Sequence, residues 1–154
     1  MMRLRPTNDA SLIATLNRPI HEHHIELVPT FFAAYDHALI EEAFSKMMAQ
    51  DTYHFFTAEV DDEIIGYVCF QERVSEANAF RQAVRTLYVH QISINPDVKR
   101  HGYGRLVMEH VERFAVDHDF SSIELDYWSV NEEAAKFYER VGFRTKRQIV
   151  IKHL

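Results

Sequence analysis

A chain of 154 residues with 47% hydrophobic and 26% charged side chains has the size and mix of one globular domain, not of a disordered or fibrous protein. Its 17 Lys and Arg against 23 Asp and Glu leave a net charge of −6, which argues against a general nucleic-acid binder and leans towards a cationic or amine-bearing partner. The single cysteine, Cys69, excludes an internal disulfide framework and a cysteine-cage zinc site and fits a reducing cytosol; with no signal-peptide core and no apolar run near the roughly 20 residues of a membrane span, the expected setting is cytoplasmic and away from membranes.

In chain order, Arg3-Leu4-Arg5 before Pro6 reads as a short first strand. Asn8 or Asp9 can cap a helix carrying Leu12, Ile13 and Leu16. Pro19 and Pro29 are expected to break the next stretch of chain into irregular or short helical pieces. Leu39, Ile40, Ala43, Phe44, Met47 and Met48 recur at helical spacing, which predicts a helix over Asp36 to Gln50. Tyr53 to Val60 and Glu63 to Val74, joined by Asp61-Asp62, predict a hairpin. Ser75 to Ala83 is a polar connection, and Thr86 to Asn95 is the next strand, stopped by Pro96. A helix over Arg105 to His118, a strand over Ser121 to Tyr127, a helix over Asn131 to Val141 and a final strand region over Phe143 to Leu154 complete the order. The strand-helix-strand from Thr86 to Tyr127 calls for a right-handed crossover, hence parallel strands. The class is therefore mixed α/β (α+β) in one domain over residues 1–154.

Two of the four glycines, Gly102 and Gly104, fall between a strand and a helix in the segment Asn95-Pro96-Asp97-Val98-Lys99-Arg100-His101-Gly102-Tyr103-Gly104-Arg105. Glycine there permits positive φ and close approach of a ligand. The helix start offers unpaired N–H groups, and Lys99, Arg100 and Arg105 add positive charge. A phosphate or pyrophosphate suits that chemistry; a solvated basic turn is the plainer alternative. Val107 stands where a dinucleotide fingerprint needs a third glycine, and the Gly-Lys-Ser/Thr of a P-loop is absent. Further on, Asn131 suits a helix N-cap, and Ala134, Phe137, Tyr138 and Val141 share one face ahead of Gly142. Tyr138 suits either a core tyrosine or a positioned phenolic acid.

Together the two segments resemble the GNAT superfamily of acyltransferases. Lys99-Arg100-His101-Gly102-Tyr103-Gly104 is similar to its acetyl-CoA loop, Gln/Arg-x-x-Gly-x-Gly/Ala, with Lys99 in the first position. Asn131-x-x-Ala134-x-x-Phe137-Tyr138-x-x-x-Gly142-Phe143 resembles its second signature, and Arg3-Leu4-Arg5-Pro6 its first strand. The resemblance implies a twisted mixed sheet of six or seven strands with splayed central parallel strands and about four helices. It implies acetyl-CoA as co-substrate and no metal. Ile92, Ser93 and Ile94 would meet the pantetheine arm, and Lys99, Arg100, His101, Gly102, Tyr103, Gly104 and Arg105 would form the pyrophosphate loop. Asn131 would contact the arm or hold the splayed strands, and Phe137 would flank the cofactor. Tyr138 would be the general acid for the departing thiolate, and the Ile92 N–H a donor to the oxyanion.

For the base that frees the amine, His90 comes first, two residues before Ile92 on the same strand. Tyr88 shares its parity and could act through water; a strand bulge would bring Gln91 to the site; Glu59 is a further candidate. His21-Glu22-His23-His24 is not HExxH and reads as a solvated loop, although the resemblance also allows it, with Phe31, Phe32 and Tyr35, to line an acceptor pocket; core packing is the expectation for Phe31, Phe32, Tyr35 and the Met47-Met48 pair, and Cys69 should be buried and inert. The resemblance thus implies an acetyl-CoA-dependent N-acetyltransferase acting by direct transfer to an amine, and the charge favours a small-molecule cationic amine as acceptor. Polyamine, amino acid, aminoglycoside-like drug and protein N-terminus all remain as acceptors. The rival is a non-catalytic acyl-CoA-binding domain. A homodimer is the family's habit.

Overall fold

The computed structural model describes residues 1–154. The elements run β1 (Met2–Pro6), α1 (Ala10–Leu27), α2 (His37–Met48), β2 (Tyr53–Val60), β3 (Glu63–Ser75), β4 (Val84–Ile94), α3 (Tyr103–Asp117), β5 (Ser122–Glu124) and α4 (Glu132–Arg140), with a 3-10 turn at Pro96–Val98. Local chemistry sets most of these bounds. The side chains of Asp9 and Asp36 accept from Leu12 N–H and Leu39 N–H and so start α1 and α2. Asp61 and Asp62, at φ 52° and 66°, make the tight turn between β2 and β3.

The strands form one sheet in the order β1-β2-β3-β4-β5, antiparallel except for β4 and β5. Alternation along β3 divides its side chains between two cores. Val68 and Phe70 pack with Leu87 and Val89 against Val107, Met108, Val111 and Ala115 of α3. Tyr67 and Cys69 pack with Phe55 against Ala10, Ile13 and Ala14 of α1 and Phe44 of α2. Cys69 is buried, as expected, and burial pushes its thiol up to about 12. β4 and β5 pair only from Thr86↔Ser122 to Tyr88↔Glu124; beyond that β4 continues to Ile94 paired with β3 alone. The parallel strands part there, and the open edge of β4 leads straight to the glycine loop.

The mixed α/β class matches the expectation, but several elements differ from it. Pro19 lies inside α1, which continues to Leu27. A proline removes one helical hydrogen bond, and here the buried Ile13, Ala14 and Asn17 hold the helix against the sheet despite that loss. His21–His24 is consequently helical rather than a loop. The strand at Ser121–Tyr127 shrinks to Ser122–Glu124, since β5 parts from β4 after Glu124 and Asp126 meets Tyr88 only through its side chain. The sheet has five strands instead of six or seven, because Phe143–Leu154 joins no strand. Ile149, Val150 and Ile151 are 95%, 87% and 79% exposed, a β-branched run with nothing to pair with.

Candidate active site

The β3–β4 ladder has an irregularity where the chemistry is expected. Cys69 pairs with Gln91 and Phe70 with Val89, so His90 is an extra residue, a bulge. Its effect is to turn both His90 and Gln91 to the α1/α2 face. The His90 ring stacks on Tyr53 with centroids 5.3 Å apart and meets Tyr88 edge-on at 4.9 Å. Its Nε2 lies 2.9 Å from Gln71 Oε1. Gln71 turns its amide nitrogen to Thr52 Oγ1 at 3.4 Å and its oxygen, an acceptor only, to His90, where it pairs with the protonated form of Nε2. Nδ1 is left with the lone pair. Burial, then the charge of Arg73, lower the His90 pKa, while Asp126 opposes them. His90 is neutral at pH 7, as a base must be. Gln91 is differently employed: its Oε1 accepts from the hydroxyl of the fully buried Tyr67 and from Asn17 Nδ2 at 3.4 Å. Glu59 lies at the far end of β2, six residues or about 20 Å along the strand from Tyr53, in an ion pair with Arg5 at 3.2 Å.

Tyr88, Asp126 and Tyr138 stand on the other side of His90. The Tyr88 hydroxyl donates to Asp126 Oδ2. Burial and that carboxylate push the Tyr88 phenol up to about 12. A phenol held in its protonated form is no base near neutrality, so Tyr88 serves to hold Asp126. Arg73 lies 3.6 Å over the Tyr88 ring. From α4, Tyr138 stacks on Tyr127 and abuts Phe137 and Phe143, with centroids 5.7, 5.1 and 5.6 Å away. Burial and Asp126 push its phenol up to about 12, so it too keeps its proton. Asp126 is thus bonded to Tyr88 of β4, while Tyr138 of α4 feels its charge.

The loop after β4 is built for an anion. None of the backbone N–H groups from Arg100 through Arg105 has a backbone acceptor; the first helical bond of α3 is Leu106 N–H to Gly102 O. Arg100 and Gly102 both have left-handed backbone, at φ 69° and 77°, which turns successive N–H groups inward as a nest. Gly102 has no side chain to cap α3, and a Cβ there would meet nothing within 4 Å. Gly104 has a different reason: a Cβ would sit 3.2 Å from the Phe137 ring, so this glycine seats α4 against α3. The His101 ring folds back, Nδ1 3.0 Å from the carbonyls of Val98 and Lys99, and braces the loop. Lys99 is 3.8 Å from Glu133 and Arg105 3.1 Å from Glu109, whereas Arg100 has no ion pair. Asn131 accepts from Ala134 N–H and donates its own N–H to Trp128 O, so its visible work is to start α4.

A profile of the Acetyltransferase (GNAT) family matches residues 20–143. The chain belongs to the GNAT acetyltransferase family. A probable N-acetyltransferase, camello, of Xenopus laevis is 28% identical over 100 residues, 65% of this chain and 42% of that protein. An uncharacterized N-acetyltransferase of Methanocaldococcus jannaschii is 28% identical over 107 residues, 69% of this chain and 46% of that protein. This GNAT chain thus spans less than half the length of those relatives. In fold it is similar to a tetramutant of the BH1408 protein from Bacillus halodurans, with TM-score 0.91, 22% identity, and 100% and 99% of the two chains covered. An aminoglycoside acetyltransferase from a soil metagenome, in complex with sisomicin, superposes with TM-score 0.70 at 18% identity over 99% and 95% of the chains.

Against the GNAT fold, the region between α1 and α2 faces the loop after β5. Phe31 and Phe32 lie 4.7 and 5.6 Å from Trp128, and His24 stacks on Phe32 at 5.1 Å. The core reading fails for Phe31, which is 67% exposed; Tyr35 is tied down by its hydroxyl bond to Ala14 O at 2.7 Å. Gln71, Arg73, Tyr53, Asp126 and Trp128 were not among the sequence candidates. Strand parity in the β2–β3 hairpin could have drawn Tyr53 and Gln71 together; nothing in the sequence placed Asp126 or Trp128 beside them.

Proposed function

We propose that the chain transfers the acetyl group of acetyl-CoA to a small molecule bearing an ammonium group, by direct attack. The observation that carries this reading is the nest of unpartnered N–H groups from Arg100 to Arg105, opening off the one stretch of β4 that β5 leaves uncovered. The nest and the Arg100 guanidinium would hold the pyrophosphate, with Lys99 and Arg105 adding charge and His101 and Tyr103 shaping the loop. Backbone groups of Ile92, Ser93 and Ile94 would line the pantetheine arm, with Phe137 and Asn131 behind it. When bound, acetyl-CoA supplies an activated acetyl group as a thioester.

The chain's own residues do the rest. His90, neutral and fixed as the Nε2–H form, takes the proton that the ammonium must lose before its nitrogen can attack. The Ile92 N–H donates to the oxygen where charge develops. Tyr138 keeps its proton and presents it to sulfur as the C–S bond breaks. Over the whole transfer a C–N bond replaces the C–S bond and one proton is released. The acidic balance of the chain and the carboxylate of Asp126 favour a cationic acceptor. The sisomicin complex of a neighbour with this fold supports a small-molecule acceptor. The test is free-thiol release from acetyl-CoA across a panel of amines. Amine-dependent release is expected; binding of acetyl-CoA without release under any amine would leave only an acyl-CoA-binding domain.

A further inference from the structure

Resting on the reading of an amine acetyltransferase, we propose that the acceptor is an amino acid: Asp126 receives its ammonium group and Arg73 its carboxylate. The order of groups along β4 supports this. The glycine loop follows Ile94, so acetyl-CoA reaches His90 from the C-terminal end of the strand. An acceptor must come from the other side, and there the chain presents Tyr88 with Arg73 on its ring face and Asp126 on its hydroxyl.

The two charges are distinct and both available. Arg73 and Asp126 bracket one aromatic ring but make no ion pair with each other or with any other side chain. Arg73 follows Gln71 by two residues on β3 and so shares the His90 face of the sheet. Arg73 Cζ lies 3.6 Å over the ring, a cation–π contact that uses none of its N–H donors and leaves them for a carboxylate. Asp126 spends one oxygen on the Tyr88 hydroxyl and keeps the other. Both charges are felt at His90, with opposite sign. A simple amine would satisfy Asp126 and leave Arg73 without a partner, and a polyamine would set a second cation against it. An α-amino acid satisfies both, because its two charged groups share one carbon. Its side chain would extend towards Trp128, two residues after Asp126, and the exposed Phe31 ring beside it.

The chemistry balances as for any amine. The ammonium gives up a proton to His90 and a second as the amide forms, sulfur takes one back through Tyr138, and the carboxylate is a spectator.

Matched pairs of amino acid and decarboxylated amine test the proposal: phenylalanine with phenethylamine, tyrosine with tyramine, lysine with cadaverine. Steady-state thiol release by the full chain gives kcat/KM for each. In at least one pair the acid should exceed its amine by about tenfold or more, a modest factor because Arg73 is exposed. Arg73→Gln should reduce that ratio about tenfold, and Arg73→Lys, which keeps the charge without the fork, should lie between. If Arg73→Gln does not fold, the wild-type ratio and Arg73→Lys decide. Amines acetylated as well as their parent acids, or a ratio unmoved in Arg73→Gln, overturn the proposal while leaving acetyl transfer intact. No release with any member of the panel, in protein that binds acetyl-CoA, overturns both.

Discussion

Gln71 determines which nitrogen of His90 is free, and a residue that fixes a tautomer also tunes a pKa. In the wild type the His90 pKa lies below its ordinary 6.5, from burial and the Arg73 charge. Activity that needs neutral His90 should therefore be constant near pH 7 and fall only on acidification below 6.5. Gln71→Glu puts a carboxylate against Nε2, which favours the imidazolium. The acid limb of kcat/KM should then move to higher pH, and an NMR titration of His90 should move with it. A limb that stays in place while the NMR titration shifts would remove His90 from the base role. Tyr138→Phe asks the matching question of the acid. It removes one hydroxyl and keeps the ring among Tyr127, Phe137 and Phe143. The expected result is a fall in kcat of roughly 10²-fold with little change in acetyl-CoA affinity. Equal turnover in a folded variant would return Tyr138 to the core. Tyr138 and the loop residues can be proposed from the sequence because their motifs are local. Hairpin parity could have drawn Gln71 to Tyr53, but Arg73 and Asp126 meet at Tyr88 through the register of β4 with β3 and β5, which the sequence does not spell out.

At the level of elements, the glycines separate packing from ligand chemistry. A Cβ on Gly66 would lie 2.1 Å from the Ser93 carbonyl oxygen, so β3 and β4 approach more closely there than any side chain allows. Gly66→Ala must push the backbones apart and should cost roughly 1–3 kcal/mol in denaturant unfolding. Unchanged stability would show that the strands already have room. Gly104→Val should strike Phe137 and lower the melting temperature and acetyl-CoA affinity together, since α4 rests on that contact. Gly102→Val has open space around it, so its cost comes from the left-handed backbone and from crowding the nest. Calorimetry with melting curves on both variants tells the two apart; equal effects on both measurements would refute the division. The same scale shows why some elements were readable and others not. The Asp61-Asp62 turn is a local signal and fell where expected; of Asn8 and Asp9 it is Asp9 that caps α1, and the helix expected from Asp36 starts there because the Asp36 side chain accepts from Leu39 N–H. α1 runs through Pro19 because burial of Ile13, Ala14 and Asn17 outweighs one proline. Ile149 to Ile151 reads as a strand but finds no partner, and the bulge at His90 exists only in the pairing of β3 with β4.

Over the whole molecule, the cations of the Lys99–Arg105 loop stand out against a chain of net charge −6. A bare helix start in an acidic protein would ordinarily repel an anion at long range, so affinity has to come from short-range groups: the nest of N–H donors and the unpaired Arg100. Such a site binds the folded state alone, because the unfolded chain has no converging N–H groups. Acetyl-CoA should therefore raise stability by mass action. At one hundred times its dissociation constant the gain is about 2.7 kcal/mol. For a chain of this size that corresponds to a rise in melting temperature of roughly 5–11 °C. ADP offers the pyrophosphate without the pantetheine arm, so it should engage the loop but not the open edge of β4 and give a smaller shift. NAD carries a pyrophosphate between two bulky nucleosides and should give little. Added salt should reduce the ADP shift most, since it rests on charge with no apolar contact along the strand. Melting curves with each ligand, and with acetyl-CoA on Arg100→Gln, make the comparison. The Arg100→Gln shift should be smaller than that of the wild type. A wild-type protein indifferent to millimolar acetyl-CoA would show that the nest is an ordinary helix start, whatever family the fold belongs to.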